Sequence, residues 1–76
     1  MKDYNLLFCK TLKYIRINRG FTQEQLAADA CINEKHYGRI ERGECSPSLE
    51  FFFLLCNALD IRPDKFFEVM NSINAK

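Results

Sequence analysis

The 76-residue sequence lacks most of what would mark an enzyme, a metalloprotein or a membrane protein. No apolar run approaches the ~18 residues of a membrane span, and the N-terminal MKDYNLLFCK has no signal-peptide pattern. A cytoplasmic chain with reduced thiols is therefore expected. Cys9, Cys31, Cys45 and Cys56 form no Cys-x-x-Cys pair, and His36 has no second histidine beside it, so neither a metal nor a cofactor is expected. There is no phosphate loop, no nucleophile with an oriented base and no pair of carboxylates suited to catalysis, which argues against an enzyme. Repeats, low-complexity tracts, linkers and strand-like alternation are also missing, leaving one domain over residues 1–76.

What is present is a globular composition, 47% hydrophobic and 28% charged, with a net charge of only +1. So small a core gives marginal stability, and such a chain gains by burying surface against a partner. The charge is unevenly placed. Lys10, Lys13, Arg16 and Arg19 follow one another without an intervening acid; Glu24, Asp29 and Glu34 come next. Beyond them Lys35, Arg39 and Arg42 are set against Glu41, Glu44 and Glu50. A directed basic surface is compatible with so mild a sum.

Local signals divide the chain into five helices. Phe8, Leu12 and Ile15 recur at helical spacing in a first helix from about Tyr4 to Asn18, which Gly20 stops. Thr22 and Gln25 are spaced as a capping box for a short second helix ending near Ala30. Cys31 and Ile32 fall in the turn, and Asn33 caps a third helix that Gly43 ends. Ser46-Pro47-Ser48 opens a nearly all-apolar fourth helix reaching Leu59. Arg62-Pro63-Asp64 opens the fifth, because proline suits the first turn and an acid there complements the helix dipole.

On a wheel of the third helix, Tyr37, Ile40 and Glu41 share one side, and Lys35, Arg39 and Arg42 lie nearly opposite. Gly38 falls beside that cationic stripe on the outward side, where a missing side chain would admit another surface close to the backbone. A capped short helix, a brief turn and a second helix with basic residues outward is the arrangement that places a helix in a major groove.

The motifs Thr22-Gln-Glu-Gln-Leu-Ala-Ala28, Arg39-Ile-Glu-Arg-Gly43, Pro47-Ser-Leu-Glu50 and Leu59-Asp-Ile-Arg-Pro-Asp64 resemble, with their spacing, the Cro/repressor-type helix-turn-helix family, also called the XRE family. The resemblance covers about residues 8 to 67. It implies an all-α, compact five-helix bundle of the lambda-repressor-like type. The helix-turn-helix would occupy about residues 22–43, with the fourth and fifth helices over about 48–73 serving core and dimerisation. Among relatives, the length and the Phe66-Phe67 ending look similar to the controller proteins of restriction-modification systems; phage Cro-like repressors fit almost as well.

Carried over by position, the resemblance puts a phosphate contact on Gln23 and base-reading positions on Asn33, Glu34, Lys35 and Arg39. Lys35 and Arg39 are able to donate to guanine O6 and N7, and Glu34 to accept from cytosine N4; Arg42 suits phosphate. His36 lies between the two faces, with both DNA contact and packing on Ile40 open to it. The resemblance also implies a structural ion pair between Arg16 and Glu41. Two residues depart from the family pattern. Cys31 stands where glycine is usual, so the turn either holds a left-handed non-glycine residue or takes another path, and Gly38 replaces a larger residue. Cys9 and Cys56, at positions of small residues, are expected to be buried, and Cys45 to be the most exposed thiol, with redox control through Cys45 or Cys31 left open.

On the fourth helix Phe52, Leu55, Cys56 and Leu59 make a core face, while Phe51, Leu54 and Ala58 form a second apolar stripe that Met70 and Ile73 extend. Such a patch marks an interaction surface. The expected protein is a homodimeric, stand-alone regulator that binds double-stranded DNA at a pseudo-palindromic operator, with residues 33–42 as its recognition helix. Two readings compete with parts of this: coverage of Phe51 and Leu54 by residues Tyr4 to Leu7, and an interaction adaptor that keeps the fold without binding DNA.

Overall fold

The computed structural model describes residues 3–75, and in them the expected five helices are all present: α1 Tyr4–Asn18, α2 Gln23–Asp29, α3 Glu34–Glu41, α4 Leu49–Leu59 and α5 Pro63–Asn74. Each of the first four starts on a side-chain cap. Asp3, Thr22, Asn33 and Ser48 accept from the amides of Leu6, Gln25, His36 and Phe51, and Gln25 returns a bond to Thr22 to complete the capping box. These caps satisfy amides that the first turn leaves without intrahelical acceptors. Helix α5 has no side-chain cap and instead begins on Pro63, which has no N–H to satisfy. Among the described residues no helix is long and apolar enough to cross a membrane.

Helix α1 packs on α5 and α3, α2 packs on α3 and α4, and α4 closes on α5. The shared core takes Leu12 and Ile15 from α1, Leu26 from α2, Tyr37 and Ile40 from α3, Leu55 and Leu59 from α4, and Phe66 from α5. One end is an aromatic triangle: Phe8, Phe52 and Phe66 have ring centroids 5.1–5.9 Å apart. Burying a side chain of this size contributes about 1.5–3 kcal/mol, so the triangle is a main tie between the two ends of the chain. Arg19 adds a polar tie, donating from Nη1 to the Leu59 carbonyl at 2.9 Å. The four basic residues in and just after α1 are thus not one surface, because Arg16 is buried and Arg19, though exposed, is tied to the end of α4.

The apolar stripe on α4 is revised by the structure. Phe51 is buried, its ring 5.3 Å from that of His36 and 6.5 Å from that of Tyr37. Within the chain it packs against α3, while Tyr4 and Leu6 are themselves exposed. Leu54, Ala58 and Met70 are half-buried against the core, and Ile73 is half-buried beside Tyr14. On α4 and α5 the large apolar side chains left in the open are Leu49, Phe53 and Phe67, at 72%, 46% and 48% exposure, while α1 exposes Leu6 and Ile17. Phe53 and Phe67 both lie against Phe52, at 5.6 and 5.2 Å, so they border one patch.

One thiol expectation is revised as well: the most exposed is Cys31 rather than Cys45. Cys9 and Cys56 are buried, Cys45 is half-buried against the core, and Cys31 is the exposed one. Burial pushes the Cys56 thiol up to about 11. Cys9 is likewise raised, mainly by desolvation, and donates from Sγ to the Ile40 carbonyl.

Candidate nucleic-acid interface

The turn between α2 and α3 resolves the question at Cys31. Its φ is +58°, a left-handed conformation held by bonds from the Cys31 and Ile32 amides back to the carbonyls of Ala28 and Ala27, at 3.1 and 2.8 Å. The expected path is kept although glycine is absent, at a cost of about 1 kcal/mol of backbone strain. Asn33 then caps α3 in extended backbone and the helix begins.

The inward face of α3 is anchored by one carboxylate. Arg16 grips Glu41 with two bonds, Nε to Oε2 at 2.9 Å and Nη2 to Oε1 at 3.0 Å. Gln23 Nε2 donates to Oε1 at 3.0 Å, and the Tyr37 hydroxyl donates to Oε2. Arg16 also reaches the Phe21 carbonyl at 2.8 Å. Burial alone would raise the Glu41 carboxyl, but the bonds from Arg16, Tyr37 and Gln23 outweigh it and hold the group below the usual carboxylate range. Burial and the Glu41 carboxylate push the Tyr37 hydroxyl well up. One acid therefore locks α1, the start of α2 and α3 together, and fixes the angle at which α3 presents its other side.

That other side carries Asn33, Glu34, Lys35, His36, Arg39 and Arg42, all exposed. With Gln23, Gly38 and Glu44, four of these (Glu34, Lys35, Arg39 and Arg42) line a shallow concavity between α2 and α3. Gln23 is half-buried with one side-chain N–H donated to Glu41, and its backbone N–H, in the first turn of α2 where amides have no intrahelical acceptor, is a donor it offers an anion. His36 stays at the rim, its ring edge-on to Phe51.

Gly38 does not stand open. It is buried, and a Cβ built there would lie 2.9 Å from Arg42 Nη1 and 3.6 Å from Gln23 Oε1. The space left by the missing side chain is already taken by the Arg42 guanidinium, so the glycine accommodates a neighbour within the chain. Glu44, which in the sequence only lowers the charge of this face, has its carboxylate 2.6 Å from Arg42 Nε and 3.8 Å from Arg39 Nε. The Arg42 bond pulls the Glu44 carboxyl below its ordinary range.

This geometry has close relatives among known folds. The family model for helix-turn-helix proteins matches residues 12–66, most of the chain. The chain belongs to the helix-turn-helix family. It is of the XRE type that its motifs resemble. The restriction-modification controller protein C.Esp1396I in its wild-type form superposes with a TM-score of 0.90 at 25% identity, over 99% of this chain and 100% of that one. A tyrosine-to-phenylalanine variant of the same controller gives a TM-score of 0.91 at 26% identity, over 100% of this chain and 98% of that one. No curated protein sequence matches the chain. Helix-turn-helix membership, with these neighbours, supports a DNA-binding transcription regulator.

Proposed function

We propose that this helix-turn-helix chain is a cytoplasmic, sequence-specific regulator that binds a pseudo-palindromic operator as a homodimer, with α3 of each protomer in a major groove. The carrying observation is the division of α3 into a face locked through Glu41 and an exposed face bearing Lys35, Arg39 and Arg42. On that face Lys35 and Arg39 donate to guanine edges, Glu34 accepts from cytosine, and Asn33 and His36 border the same bases. Arg42 and the Gln23 backbone amide meet phosphate. Gly38 lets Arg42 lie close to the helix.

The homodimer rests on the exposed patch of Leu49, Phe53 and Phe67, with half-buried Leu54, Ala58, Met70 and Ile73 at or beyond its edge. Two copies would set their recognition helices about one DNA turn (~34 Å) apart. Sedimentation at micromolar concentration is expected to show a dimer, and Phe53→Asp a monomer; a monomeric wild type would remove this part of the reading.

The decisive experiment is binding to sequences selected from a random DNA pool. Affinity is expected to fall steeply with salt. Replacing Lys35 and Arg39 together by alanine is expected to weaken it by about 100-fold, from about 1–3 kcal/mol per base contact. Absence of DNA binding at every salt concentration would favour the adaptor.

A further inference from the structure

The loop after α3 returns an acid to the cationic face. Gly43, at φ +80°, turns the chain so that the Glu44 N–H donates to the Arg39 carbonyl at 2.8 Å. The Glu44 carboxylate is thereby set between two guanidinium groups, one oxygen toward each, 2.6 Å from Arg42 Nε and 3.8 Å from Arg39 Nε. Arg42 is drawn back in the same movement, its Nη1 occupying the space over Gly38. All three charged side chains are about half exposed, so the cluster is open to solvent and to any approaching anion. A guanidinium offers the same donor fork to a carboxylate as to a phosphate. The two acceptors therefore compete for the same N–H groups.

We propose that Glu44 is an intramolecular stand-in for the acceptors of a DNA duplex, phosphate at Arg42 and the guanine edge at Arg39: a positioning residue that masks both arginines in the free protein and gives them up when a duplex binds. This rests on the DNA-binding reading above and adds that the chain's affinity for a phosphate backbone is held below what its cations would supply. The contact is held by ion pairs exposed to water, which are weak enough to exchange. Displaced, the carboxylate stays near the backbone it resembles and repels it, so its removal is felt in the bound state as well.

The test uses the whole chain and a fluorescently labelled mixed-sequence duplex about three helical turns long, titrated at several salt concentrations. Four forms are compared: wild type, Glu44→Gln, the pair Arg39→Ala with Arg42→Ala, and all three changes together. Glu44→Gln is expected to bind about threefold tighter at low salt, the size of effect that exposed ion pairs support. If one further phosphate is neutralised, its salt dependence steepens by about 0.9 in logarithmic slope. In the background lacking both arginines the gain is expected to vanish, which separates release of those side chains from a general change in field.

Unchanged or weaker binding by Glu44→Gln overturns the mask and makes Glu44 a residue that prepares the arginines. An equal gain with and without the arginines overturns it too. Wild-type binding without any gain leaves the DNA-binding reading intact, whereas no binding by either wild type or Glu44→Gln removes the reading and the mask together. Glu44 is exposed in a loop, so these outcomes are not confounded by loss of the fold.

Discussion

Glu41 and Glu44 lie a turn apart in the chain, each facing arginine, yet their surroundings make them different kinds of interaction. The Glu41 side chain is 3% exposed and accepts from Arg16, Gln23 and Tyr37, whereas the Glu44 side chain is 49% exposed and, among the described residues, meets only Arg42 and Arg39. In the interior a charge that loses its partner has no water to replace it, so the pair is costly to break. At the surface water and mobile ions substitute for either partner, and the same chemistry becomes exchangeable. One helix thus carries a permanent anchor on its inner face and a replaceable contact on its outer face.

The largest expected effect breaks the anchor. Glu41→Ala leaves the Arg16 guanidinium, the Tyr37 hydroxyl and the Gln23 amide without their acceptor. The expected loss is about 3–5 kcal/mol of unfolding free energy, enough to leave so small a domain near its unfolding threshold. Urea titration checks this, with Glu44→Ala as the surface counterpart, expected to leave the midpoint where it was. If the two variants lost equal stability, the distinction between the faces would fail.

Acid sharpens the same contrast. The folded pKa of Glu41 is held below its ordinary value of 4.5, so the unfolded chain binds more protons in the interval between the two. The stability Glu41 contributes is present above about pH 4.5 and is lost as pH falls through its folded pKa. Unfolding followed from neutral pH downward is expected to show this decline in the wild type, and a flatter profile in Glu41→Gln. Glu44→Gln is expected to follow the wild type, because water screens its partners.

Much of the anchor and of the fold was legible in the sequence, and the mask was not. Thr22, Asn33 and Ser48 announce their helices because a cap acts within a few residues. The Arg16–Glu41 contact came with the family resemblance, which supplies long-range pairs that helical spacing cannot. Glu44 is close to its arginines in sequence, but its placement depends on the left-handed turn at Gly43, which decides whether the chain runs on or folds back. Phe51 was misplaced for a related reason. A helical wheel sorts α4 into stripes without saying which neighbour covers each residue, and His36 and Tyr37 pack on Phe51. Leu49, Phe53 and Phe67 were overlooked because their exposure is a property of the assembled bundle.

A smaller perturbation addresses the outer face from beneath. Gly38→Ala adds a Cβ 2.9 Å from Arg42 Nη1, the far end of a flexible, half-exposed side chain that is free to swing away. Alanine in place of glycine within a helix contributes roughly 0.5–1 kcal/mol. A net gain of that order in thermal or urea unfolding is expected, together with displacement of Arg42 from its folded-back position in a crystal structure. A clear destabilisation would mean that Arg42 is as firmly fixed as the inner anchor.

The smallest effect belongs to the turn that aims both faces. Cys31 holds a left-handed conformation at φ +58° with its side chain exposed, so it contributes strain without compensating burial. Cys31→Gly relieves about 1 kcal/mol of strain but also loosens the unfolded chain, and the two oppose one another. A net stabilisation of at most about 0.5 kcal/mol is expected in urea unfolding. Because the bonds from the Cys31 and Ile32 amides set the path of the turn, the glycine chain is expected to keep the angle of α3, the Arg16–Glu41 bonds and its DNA affinity. A changed affinity at unchanged stability would show that the turn, and not only the Glu41 anchor, decides how the outer face is presented.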